Sequence, residues 1–201
     1  LQHLKRLTDG TGILQHARFA VPNYREGHTT DDNARALVLM ALLDELGELP
    51  ADEIEDLTTR YLAFIAYAFN PGARRFRNFL AYEPRHWAED VGSEDCHGRA
   101  LWGLGTLVGH SNRPGLRGMA VDLFNAALPG ALELSSPRAW AYTLIGIHNY
   151  LRWFAGDRAA EEAGRQLADR LVVRFRETQR DGWTWFEDSL TYANACLSQA
   201  L

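Results

Sequence analysis

The stretch Thr29-Thr30-Asp31-Asp32-Asn33-Ala34-Arg35-Ala36-Leu37 decides the fold, because it returns three times in reworked form. The second copy is Ser93-Glu94-Asp95-Cys96-His97-Gly98-Arg99-Ala100-Leu101 and the third is Ser136-Pro137-Arg138-Ala139-Trp140-Ala141-Tyr142-Thr143-Leu144. The fourth is Thr191-Tyr192-Ala193-Asn194-Ala195-Cys196-Leu197. Equivalent positions fall at 35, 99, 142 and 196, a step of roughly 40 to 65 residues. That is room for a helical hairpin and its loops, and a repeat of this length sets the architecture before any single motif does. Each copy starts with a Ser or Thr that can cap a helix, continues with acids, amides, Arg or aromatics, and runs on into apolar residues. If the helices lie side by side, the polar starts meet on one surface.

Working outward, the helix after Thr29-Thr30 carries Ala36, Leu37, Leu39, Met40, Leu42, Leu43 and Leu46, and stops at Gly47. It is apolar nearly all round, which predicts a buried helix. Asp31 and Asp32 suit its first turn, where carboxylates complement the helix dipole. The next segment, about Ala51 to Phe69, mixes Asp52, Glu53, Glu55, Asp56 and Arg60 with Ile54, Leu57, Leu62 and Ile65. That one-sided pattern predicts an exposed partner helix, and Asn70-Pro71-Gly72 ends it. The alternation continues. Ser93 opens a buried helix, and Arg113 to Leu134 is its outer partner. Ser136-Pro137 opens a third buried helix, with Pro at the first helical position, and Arg158 to Thr178 is the outer partner. Asp188 or Ser189 is expected to open a fourth. Arg75 to Tyr82 instead alternates with period two, which predicts an extended ribbon on the face of the acids. The expected fold class is all-α, an (α/α) toroid of helical hairpins, with residues 1–201 as one domain. A closed ring of six hairpins needs a longer chain by this spacing, so the expectation is an incomplete ring or part of a longer protein.

Composition narrows the function. Hydrophobic residues make up 46% of 201, enough for a real core rather than a disordered chain. The net charge is 21 − 26 = −5 and Lys occurs only at Lys5, which argues against nucleic acid and anionic membrane as partners. No apolar run approaches the ~20 residues of a membrane span. The two cysteines, Cys96 and Cys196, fit no zinc spacing and read as free thiols, consistent with a cytoplasmic setting. His16, His28 and His97 lack close-spaced ligand motifs, so no metal is expected. Gly10 and Gly12 do not follow a strand, and no phosphate-binding loop or other cofactor is expected.

Three acidic pairs stand at predicted inner-helix starts: Asp31-Asp32, Glu94-Asp95 and Glu187-Asp188. Glycoside hydrolysis needs two carboxyl groups in different environments, one to hold a proton and one to activate water or attack the sugar. Asp32, Glu94 and Asp95 are the expected catalytic acids. Asp31, His97, Arg138, Trp140, Trp185, Glu187, Asp188 and Tyr192 are the expected substrate contacts, the aromatics as sugar platforms. Capping explains any single pair equally well, and an Asp32–Arg35 pair would form an ionic floor without catalysis. His97 offers an acid/base for sugar epimerisation, or a hydrogen-bonded core histidine. Arg138, in place of an acid, can pair with the carboxylates or bind an anionic sugar group.

These helix starts resemble those of the (α/α) toroid carbohydrate-active enzymes, the six-hairpin glycosidase superfamily. The strings Leu4 to Asp9, Gly12 to Ala17, Thr30 to Leu37, Arg75 to Phe79, Gly92 to Asp95, His97 to Trp102, Ser136 to Trp140 and Trp185 to Asp188 look like a bacterial helical domain. It is the kind fused to glycosyltransferases, or encoded beside them and beside mannoside-processing enzymes. The resemblance covers essentially the whole chain. It implies a carbohydrate-active domain acting on or binding oligosaccharide, with a glycosyltransferase as a partner. A non-catalytic scaffold serving that glycosyltransferase, or a sugar epimerase, is the alternative. One block departs from the pattern: Asp-Asn-Ala-Arg is expected where this chain has Ala193-Asn194-Ala195-Cys196.

Overall fold

A computed structural model describes residues 1–201. Eight α-helices dominate: α1 (Gln2–Leu7), α2 (Thr30–Leu46), α3 (Ala51–Ala68), α4 (Glu94–His110), α5 (Pro114–Ala131), α6 (Pro137–Leu151), α7 (Arg158–Thr178) and α8 (Asn194–Gln199). Six two-residue strands form three antiparallel ribbons. The chain is therefore all-α. No helix is long and apolar enough to cross a membrane.

The helices form two layers. In the inner row α4 packs between α2 and α6, and α8 lies against α6. In the outer row α3 covers α2, α5 covers α4 and α7 covers α6. Each hairpin sends the chain up through an inner helix and back through an outer one, so α2, α4 and α6 all point the same way. One hydrophobic cluster runs from Leu7 to Leu197 between the layers.

Caps set the helix starts. Thr29, Ser93 and Ser136 each accept a backbone N–H through the side-chain hydroxyl, from Asp32, Cys96 and Ala139 respectively. The three inner starts therefore fall where the repeated block puts them. Gly47 ends α2 in the left-handed region (φ 66°), where a side chain would be strained. The fourth inner helix starts later than Asp188, at Asn194, because Trp183 to Tyr192 forms an irregular loop tied down by Arg138. α2 is also less buried than its composition predicts. Ala34, Leu37, Met40 and Ala41 face the core, whereas Leu39, Leu42 and Leu46 reach the surface.

α4 and α6 approach very closely, and glycine permits it. A Cβ on Gly105 would stand 2.0 Å from the carbonyl oxygen of Gly146, and one on Gly146 would stand 2.5 Å from that of Leu101. No other residue fits there without separating the helices. The Arg75–Tyr82 segment is extended, as its alternation predicts. The strand Phe79–Leu80 pairs with the strand His28–Thr29, which lays the segment across the start of α2.

Candidate functional site

The shared direction of the inner helices gathers their starts around one cleft of about 560 Å³, lined by Asp31, Asn78, Phe79, Ser93, Glu94, Asp95, Arg99, Ser135, Ser136 and Tyr192. Five segments contribute: the first turns of α2 and α4, the cap of α6, the loop before α8 and the extended segment at Asn78 and Phe79. Asn78 arrives on the extended segment. Its side-chain oxygen accepts the backbone N–H groups of Thr30 (3.1 Å) and Asp31 (3.2 Å), so it caps α2 from outside the helix. Glu89 in turn accepts the N–H groups of Asn78 (2.6 Å) and Phe79 (2.8 Å). This chain of bonds fixes the wall of the cleft relative to Asp31.

Arg99 stands at the centre. Its guanidinium lies 3.8 Å from Asp31 and 3.7 Å from Asp95, and donates to the hydroxyl of Tyr142 (3.0 Å) while lying over that ring. Tyr192 donates its hydroxyl to Asp95 at 2.8 Å. Asp31 and Asp95 thus share one guanidinium but differ otherwise. Burial, and then the neighbouring charge of Asp32, raise the Asp31 carboxyl above the ordinary aspartate value, against the opposing pull of Arg99. Burial and the Asp95 carboxylate together push the Tyr192 hydroxyl up to about 12, so it stays protonated as a donor.

The other expected residues are placed differently. Glu94 borders the cleft but is occupied. It accepts Ser135 N–H (2.8 Å), Ser135 Oγ–H (3.0 Å) and Ser136 N–H (2.5 Å), bridging α4 to the cap of α6. Burial pushes its carboxyl up, and the backbone donors of Ser136 and Ser135 outweigh it, so the net shift is down. Asp32 lies outside the cleft. It accepts the hydroxyl of Thr29 (2.6 Å), pairs with Arg35 and lines a separate hollow with Leu4, Leu7, Ile13 and Leu14. The helix turns by about 100° per residue, which carries Asp32 away from the cleft that Asp31 lines.

His97 has no exposed surface. Its Nε2 hydrogen-bonds the carbonyl of Ala127, and burial, followed by the charge of Arg75, drives it down to about 3. It is a neutral core histidine. Arg138 is buried in a closed cluster, bonded to Glu187, Thr191, Asn194 and the Tyr192 carbonyl (2.7 Å), with its guanidinium over the Tyr192 ring. It builds the loop that presents Tyr192. Asp188 is exposed and pairs with Arg180 at 2.9 Å. Trp185, partly buried, packs edge-on against the core residue Phe186. Trp140 lines a neighbouring hollow outside the cleft. The structure therefore brings together Asp31, Glu94, Asp95 and Tyr192, and adds Arg99, Asn78 and Phe79. Arg99 was visible as the partner of Arg35 in the repeat. The partnership of Asn78 with α2 spans 48 residues and leaves no local signal. No group of three or more His, Cys, Asp and Glu side chains is placed to hold a metal ion.

No family model matches the chain and no curated protein matches its sequence. Among solved structures it is similar to one described as a polysaccharide lyase, with a TM-score of 0.60 and 13% identity over 85% of this chain. The match covers 54% of that protein, so this chain spans about half of its length.

Proposed function

We propose that this chain is a carbohydrate-active domain whose cleft at the starts of α2, α4 and α6 binds an oligosaccharide and acts on it as glycoside hydrolases do. The observation that carries this is the placing of two unlike carboxyls, Asp31 and Asp95, on either side of Arg99. They are no further apart than one guanidinium and two ion-pair contacts, the scale of ~5–9.5 Å on which glycosidases hold their paired acids. Asp31, raised by burial, is the proton donor to the glycosidic oxygen. Asp95, held by Tyr192 and Arg99, is the base or nucleophile. Exposed Phe79 supplies an apolar face for a sugar ring. The likeness to a polysaccharide lyase supports a glycan as the occupant, and the two helical layers support reading the fold as an arc of an (α/α) toroid.

A second reading is a non-catalytic sugar-binding or scaffolding domain that serves a glycosyltransferase. It is favoured by the number of acids already engaged: Asp32 with Arg35, Glu187 with Arg138, and Glu94 with the backbone of Ser135 and Ser136. The burial of His97 against the Ala127 carbonyl speaks against the epimerase reading. The deciding experiment is incubation with mannose-, glucose- and uronate-containing oligosaccharides. New reducing ends are assayed beside the ultraviolet absorbance of an unsaturated uronate. Reducing ends without that absorbance, abolished roughly 10²–10⁴-fold by Asp31→Asn, support hydrolysis. Absorbance marks elimination instead, and binding without turnover marks the scaffold.

A further inference from the structure

A second hollow of about 540 Å³ lies beside the cleft, between the start of α6 and the outer face of α7, and Ser135 lines both. Its wall is Trp140, and its other sides are Pro137, Asp169, Arg170, Val173, Arg174 and Glu177. Trp140 is half-buried, and its Nε1 donates to the Leu134 carbonyl at 2.8 Å, which fixes the plane of the indole. Arg170 is held by the Leu132 carbonyl at 2.7 Å. Arg174, on the same wall, has a buried Nε–H with no partner. An aromatic plate held at a fixed angle, fringed by donors and acceptors of both signs, suits a sugar ring. The apolar face of the ring stacks on the indole, and its hydroxyls bond to the fringe.

From this geometry we infer that the Trp140 hollow is a second sugar subsite, continuous with the cleft across Ser135, which takes a further uncharged residue of the same oligosaccharide. The inference rests on the cleft being the glycan site. The glycan runs from the Arg99 centre over the Glu94–Ser135–Ser136 bridge and onto Trp140. That bridge is the ridge between the two hollows, so Glu94 holds the floor of the path rather than reacting. The two Arg and two acids of the fringe cancel in charge, which favours neutral sugars over uronates here.

The test is calorimetric titration of the intact chain with a disaccharide and a hexasaccharide of each sugar type that binds. The expected result for Trp140→Ala is a roughly ten-fold weaker Kd for the hexasaccharide, the effect of losing one stacked ring, with the disaccharide Kd unchanged. Trp140 also touches the core, so Val173→Arg, a substitution on the exposed side of α7, gives a second route. It fills the hollow without disturbing packing, and the same selective loss is expected. Unchanged hexasaccharide affinity in Val173→Arg overturns the subsite and leaves the cleft standing. Equal losses for both ligands also overturn it, because the hollow is then not a separate extension. A parent chain that binds neither ligand overturns the cleft reading and this inference with it.

Discussion

Asp31 and Asp32 are adjacent in sequence and opposite in surroundings. Asp32 takes part in the cap of α2 and pairs with exposed Arg35. Its replacement by Asn is expected to cost no more than about 1 kcal/mol, the usual worth of a solvent-exposed ion pair, and to leave sugar binding untouched. Urea unfolding and titration check both halves. Asp31 behaves differently with pH. Its carboxyl is raised in the folded protein, so the folded state holds the proton more tightly than the unfolded chain does. Ionising it costs stability. The cost is absent below the ordinary value of 3.8 and grows as pH rises through the higher folded value. Asp31→Asn should therefore gain stability relative to the parent as pH is raised from acid toward neutral. A difference that stays flat, or falls, would show that the attraction of Arg99 outweighs burial. Asp31-Asp32 and Glu94-Asp95 were legible in the sequence as helix starts, whereas Glu187-Asp188 lies in the loop before α8. That Asp31 lines the cleft and Asp32 does not was not legible, because a dipeptide carries no information on the rotation of its helix about its own axis.

The helices α4 and α6 are fixed to each other by two devices, one apolar and one polar. Gly105 and Gly146 allow backbone to touch backbone. In an exposed helix Gly→Ala stabilises by roughly 0.5–1 kcal/mol. Gly105→Ala is expected to do the reverse, by several kcal/mol, because its methyl group would meet the Gly146 carbonyl oxygen at 2.0 Å. Thermal melting gives the sign directly. The polar device is Glu94. Removing its charge in Glu94→Gln weakens three hydrogen bonds across the helix starts. The group is largely solvated, so the expected loss is only about 1 kcal/mol at neutral pH. Because its carboxyl is lowered, that contribution is present above the ordinary value of 4.5 and is lost as pH falls through the folded value. Parent and variant should converge in stability in acid, as paired denaturation curves would show. The alternation of all-round apolar and one-sided segments announced these elements correctly, down to their Ser and Thr caps. It failed at α8, where Arg138 draws Glu187, Thr191 and Asn194 into a buried polar cluster that delays the helix.

On the scale of the molecule, a single hydrophobic cluster reaching from α1 to α8 joins all the hairpins. The chain is therefore expected to unfold in one cooperative transition, with far-ultraviolet and near-ultraviolet circular dichroism superimposing. Two separated transitions would mean that a hairpin melts alone. By itself, the sequence determined the all-α class, the alternation of the first three inner and outer helices, the Ser and Thr caps of those inner helices and the fact that their polar blocks lie at one end. These follow from hydrophobic period and capping chemistry, which act over one or two turns. Only the tertiary structure decided which polar groups meet. It set Arg99 between Asp31 and Asp95, brought Asn78 to α2, withdrew His97 into the core and moved Trp140 to a separate hollow. Those outcomes depend on helix rotation, on the glycine-permitted spacing of α4 and α6, and on bonds between residues tens of positions apart, none of which leaves a local pattern in the chain.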